Sequence, residues 1–96
     1  MKMITKRTRA RNVKRFADKY TLIRDAAEKF VNSHCKRGGK DRQTFKEELF
    51  HLMDEHAKIN CEMILWCHGN NVDLSKFISD ICIAEVKNTE KKEKND

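Results

Sequence analysis

The chain contains no proline and only three glycines, at 38, 39 and 69. These two residue types end helices and build the turns between strands, so their scarcity removes most of the punctuation a sheet protein needs. No stretch alternates polar and apolar residues for more than a few positions, which leaves a sheet with little support. Long helices, interrupted at Gly38-Gly39 and near Gly69, are what remains.

Apolar spacing places those helices. Val13, Phe16, Tyr20, Ile23, Ala27, Phe30 and His34 recur at three- and four-residue steps, the stripe of a helix with one face on a core. This predicts a first helix from about residue 8 or 12 to Cys35, stopped by glycines that tolerate a left-handed backbone. A second helix opens at Asp41 or Thr44, where Thr44-x-x-Glu47 has capping-box form. Its stripe is Phe45, Leu49, Leu52, Met53, His56, Asn60, Met63, Ile64 and Cys67, and it ends before Gly69-Asn70-Asn71. For the third helix Asp73 can act as N-cap, with Val72 and Phe77 at the spacing of a hydrophobic staple. Leu74, Phe77, Ile78, Ile81, Ala84 and Cys82 form its inner face, and fraying is expected near Lys87. The reading is an all-α, antiparallel three-helix bundle with two long helices and one shorter. A flexible basic N-terminal arm covers residues 1–11, the helical domain 12–87 and a disordered tail 88–96.

At 96 residues, with 39% hydrophobic and 38% charged residues, one small domain with a thin core is expected. Enzymatic clefts are hard to carve from so small a core, and an enzyme is not expected. The longest apolar run, Met63 to Cys67, is far short of a membrane span of about 20 residues. The first twenty residues carry no apolar signal region, so a cytoplasmic protein is expected, or a nuclear one in a eukaryotic host. Cys35, Cys61, Cys67 and Cys82 are then expected to stay thiols.

Charge is segregated. Residues 1 to 19 hold eight Lys or Arg against the single acid Asp18, whereas residues 20 to 96 hold 13 basic and 14 acidic residues. The entire positive excess lies in the N-terminal fifth, unlike the mixed charges of an ordinary solvated surface. Lys6, Arg7, Arg9, Arg11, Lys14 and Arg15 form an arginine-rich stretch leading into a helix. Arginine pairs bidentately with phosphate and guanine edges, and such segments often become helical on nucleic acid. Lys36, Arg37, Lys40 and Arg42 make a smaller cluster around Gly38-Gly39. No aromatic interleaves the arm before Phe16, so base stacking is poorly supported. Phosphate and groove contacts would carry recognition, which favours structured RNA over DNA.

Other constellations are weak. His51 and His56 diverge by roughly 140° on a helix, so they do not form a zinc pair. Cys61 and Cys82 are expected to be neighbours, but two thiols make no metal site, and no metal or cofactor is expected. His34-Cys35 and Cys67-His68 point about 100° apart and lack nucleophile-base geometry. His51 is expected to meet Glu28 as a structural contact, and Glu47, Glu48, Asp54, Glu55 and Glu62 to form a solvated acidic face.

The third helix is too short to cover the far end of the first hairpin. Phe30, Val31, Phe45, Leu49 and Phe50 would stay wet there, which predicts a partner, most simply a second copy forming a homodimer. Together these features predict a small regulatory protein that binds nucleic acid, RNA ahead of DNA, through its basic arm. The alternative is a non-enzymatic protein-binding inhibitor or antitoxin of viral or phage counter-defence type, docking on an acidic or nucleic-acid-binding protein target.

Overall fold

The computed structural model describes residues 4–35 and 42–94. Three helices follow one another: α1 (Lys6–Cys35), α2 (Arg42–Gly69) and α3 (Leu74–Lys94). No strand occurs among the described residues. Arg15 and Lys19 of α1 reach Glu62 of α2, while His34 reaches Glu48, so these helices are antiparallel. Arg9 meets Asp80 and Asp18 meets Asn88, so α3 runs parallel to α1. The result is the expected three-helix bundle.

The core lies near the α2–α3 turn. Phe16, Ala17, Met63, Cys67, Phe77 and Ile81 are buried, with Val13, Tyr20, Ile59, Trp66, Val72, Leu74 and Ala84 packed around them. Phe16 meets Phe77 edge-on at 5.9 Å between ring centroids, and Trp66 lies tilted over Phe77 at 5.1 Å. Such aromatic contacts add to the burial of area itself.

The turn that holds this end is built from local chemistry. Val72 N–H donates to the Cys67 carbonyl (2.9 Å) and Asn71 N–H to that of His68 (3.4 Å), a Schellman pattern. It needs a left-handed residue, which Asn71 supplies at φ 57°. Asp73 then caps α3, its Oδ1 accepting the Lys76 N–H at 3.3 Å. Beyond the turn the two helices splay: α3 packs chiefly on α1 and touches α2 least. The molecule is consequently flat, 55 × 32 × 16 Å, with α1 in the middle. A cleft of about 480 Å³ opens between α2 and α3, floored by Tyr20, Ile23 and Ala27 of α1.

Several boundaries differ from the sequence expectation. α1 opens at Lys6, so residues 6–11 are its first turns rather than a flexible arm. Thr5 makes this possible, because its Oγ1 accepts the Thr8 N–H (3.1 Å) and its carbonyl the Arg9 N–H (3.0 Å). α3 continues through Lys94 instead of fraying at Lys87, held in part by the Asn88 amide, which donates to Asp18 (3.1 Å) and Thr21 (3.2 Å). α2 starts at Arg42, which places Thr44 inside the helix and not at its cap. Ile59 and Trp66 face the core, while Met53 and Ile64 of the expected stripe are exposed. On α3, Ile78 and Cys82 are exposed, and Glu85, not singled out by the sequence, is buried beside Arg24 at 3.6 Å.

Candidate nucleic-acid interface

The N-terminal turns of α1 carry Lys6, Arg7, Arg9, Arg11, Lys14 and Arg15 with no acid in the first turn. Positive charge at the positive end of a helix dipole is unfavourable by itself. Neighbouring carboxylates offset part of it. The Arg9 guanidinium pairs with Asp80 and lies over the Phe77 ring, 5.7 Å from its centroid. Arg9 thereby extends the α1 core stripe one turn before Val13, its long stem serving where an apolar side chain would otherwise stand.

Arg15 donates to Glu62 at 3.0 Å while its guanidinium covers the Phe16 ring at 4.4 Å. Lys19 donates to both oxygens of the same carboxylate, at 3.1 and 2.9 Å. The Lys19 hydrogen bond is the largest influence on the Glu62 carboxyl; together with the Arg15 hydrogen bond and both positive charges it holds the group below its ordinary 4.5, although desolvation pushes the other way. Lys14 pairs with Asp18 one turn on, at 3.3 Å. Asp80 and Glu62 thus take up the charge of Arg9, Arg15 and Lys19 across the bundle, while Lys14 has only the exposed Asp18 of its own helix beside it.

Lys6, Arg7 and Arg11 are exposed and have no acidic partner among the described residues. At 100° per residue, Arg7, Arg11 and Lys14 share the face of α1 turned away from Phe16 and Tyr20, in i, i+4, i+7 spacing. The basic stretch therefore resolves into an outward stripe and an inward set clamped by carboxylates. The sequence by itself does not distinguish among the six.

Lys36, Arg37 and Lys40 lie outside the described residues, and Arg42 is the first residue of α2. α1 has 30 residues, so its two ends stand about 45 Å apart at 1.5 Å per residue. Arg42 and the basic N-terminal turns therefore stand near opposite ends of α1.

At the hairpin end, Phe30 stacks on Phe45 at 5.1 Å, and His34 contacts both rings at 4.6 and 5.0 Å. His34 Nε2 also lies 3.0 Å from Glu48. Two of the five residues expected to await a partner, Phe30 and Phe45, are thus in contact within the chain, while Leu49 is half-buried and Val31 and Phe50 are exposed. His51 and Glu28 are both exposed, and the histidine–glutamate contact between these helices is made the other way round, by His34 of α1 and Glu48 of α2.

The remaining chemistry-bearing groups do not converge. Among the described residues no three His, Cys, Asp or Glu gather as metal ligands. Cys82 lines the α2–α3 cleft, whereas Cys61 is exposed on another side of α2, so the two thiols are not the neighbours expected. Cys67 is buried, and burial pushes its thiol up from 9.0, opposite to what a nucleophile needs. In the cleft the Tyr20 hydroxyl reaches Asn60 Oδ1, and desolvation, then the nearby Glu85 charge, raise it above 10.0. No helix among the described residues is long and apolar enough to cross a membrane. No protein-family profile, curated protein or solved structure matches the chain.

Proposed function

We propose that this chain is a small, non-enzymatic nucleic-acid-binding protein that lays the outer face of the first turns of α1 along a phosphate backbone. The observation that carries this reading is the stripe of Arg7, Arg11 and Lys14, aimed away from the core on a helix that its own packing already fixes. A preformed helix loses less conformational entropy on binding than an arm that must first order. The nearest aromatic, Phe16, is buried beneath Arg15 and offers no stacking platform, which favours shape and phosphate reading and hence structured RNA over DNA.

Three phosphate contacts predict that log affinity falls with log salt at a slope of about −2 to −3. Salt-titrated binding of the full chain to duplex DNA, duplex RNA, hairpin RNA and single strands tests the reading. Absence of binding to any of them at low salt, or affinity indifferent to salt, refutes it. One feature favours the second reading, an acidic protein target: Leu22, 70% exposed, continues the basic stripe as an apolar anchor. Leu22→Ala separates the two, since it leaves phosphate binding intact and weakens protein docking.

A further inference from the structure

α2 has two apolar faces. One packs on α1 and α3 through Ile59, Met63, Trp66 and Cys67. The other carries Phe50, Met53, Ala57, Cys61 and Ile64 at steps of three and four residues, and every one of them is exposed. Phe50 is 63% exposed, Met53 58% and Ile64 47%. A helix apolar on opposite faces belongs inside an assembly rather than on its surface. A charged strip with Asp54 and Lys58 separates the two faces on one side, and His56 and Asn60 separate them on the other.

The spacing of this outer stripe is symmetric about Ala57. Phe50 and Ile64 stand seven residues on either side of it, and Met53 and Cys61 four. We infer that the outer face of α2 is the contact between two copies of this chain, packed antiparallel about a twofold axis at Ala57. Phe50 then meets the partner's Ile64, Met53 meets the partner's Cys61, and the two Ala57 methyls lie at the crossing, where small residues let backbones approach. A twofold contact requires such self-complementarity, which an arbitrary stripe does not have.

Charge agrees with this register. Asp54 and Lys58, paired within the chain at 3.1 Å, flank the same side of the stripe. The twofold operation brings Asp54 beside the partner's Lys58 and Lys58 beside the partner's Asp54, closing a four-charge ring of alternating sign. Parallel packing would instead leave the two Asp54–Lys58 pairs on opposite edges of the contact, with no such ring. This contact shares Phe50 with the hairpin-end cluster and otherwise faces away from it. It also sets the basic ends: Glu62, five residues from the axis, marks the level of Arg15, and Arg7 lies eight residues further out. Measured along the helix axes alone, the two Arg7 positions are then about 40 Å apart.

The test is the solution mass of the full chain by light scattering at tens of micromolar, without nucleic acid. Twice 11.4 kDa is expected. Ala57→Glu places two like charges on the axis, at a position exposed in the single chain, and is expected to weaken dimerisation at least about a hundredfold with unchanged helical circular dichroism. Leu22→Glu and Val31→Glu, on other exposed surfaces, leave the dimer intact. Asp54→Lys weakens it, and adding Lys58→Asp restores it. A wild-type mass of one chain, a dimer that persists in Ala57→Glu, or one dispersed by Val31→Glu overturns the assignment. Since no nucleic acid enters this experiment, its failure is distinct from failure of the binding reading.

Discussion

Glu62 is the acid that restrains the candidate interface most directly, and its neutralisation separates the electrostatics of binding from those of folding. Glu62→Gln keeps the shape but removes the carboxylate that accepts from Arg15 and Lys19. Both cations then become available to phosphate. Two added contacts steepen the salt slope by about 1.4 on a single strand and about 1.8 on a duplex, so affinity at low salt rises. The cost in stability is small, because the side chains are 37–44% exposed and each such pair contributes about 0.2–1 kcal/mol before screening. For a domain of this size that is a melting shift of a few degrees, at about 4–8 °C per kcal/mol.

The pH dependence has a defined sign. The Glu62 carboxyl sits below 4.5 in the folded chain, so its contribution is present above that pH and lost as pH falls through the lowered value. Glu62→Gln removes this part of the acid limb. Fluorescence anisotropy across a salt series gives the slope, thermal melts from pH 3 to 7 give the stability, and Glu90→Gln, exposed on α3, is the control. A slope unchanged or shallower in Glu62→Gln refutes the idea that this carboxylate competes with phosphate for Arg15 and Lys19.

Two further perturbations probe the scaffold. Phe77→Ala removes the ring that Phe16, Trp66 and the Arg9 guanidinium all contact, and is expected to cost about 3–5 kcal/mol, seen as loss of most of the cooperative melt. Gly69→Ala fills open space at the last position of α2, since a Cβ there meets nothing within 4 Å, and is expected to raise the melting temperature by a few degrees through up to about 1 kcal/mol of helix propensity.

What could be read from the residues alone follows from how local each determinant is. The α1 stripe from Val13 to His34 and the Asp73 cap with its Val72 and Phe77 staple depend on spacing within one or two turns, and the fold keeps them. The start of α1 is not legible in the sequence, because Arg9 does not look like a core residue until Asp80 and Phe77 are beside it, 71 and 68 positions away. The extension of α3 depends likewise on Asn88 finding Asp18 and Thr21 across the bundle. The inward side of α2 is only partly legible, because that helix is apolar on two faces and periodicity then fixes no single inward direction. The division of the basic stretch into clamped and outward residues needed the positions of Glu62 and Asp80, which no N-terminal pattern carries.

The central claim is that the outward stripe of α1 holds phosphate. The most direct measurement is the salt-dependent affinity of Arg7→Ala/Arg11→Ala/Lys14→Ala for a structured RNA, against the wild type. A slope of about 2.5 corresponds to roughly a hundredfold in affinity between 1 M and 0.15 M salt, and the triple variant is expected to lose that factor and flatten the slope. Arg7 and Arg11 have no described acidic partner and Lys14 only an exposed one, so helical content and melting temperature should stay within a few degrees of wild type. Unaltered affinity and slope in a folded triple variant contradict the account.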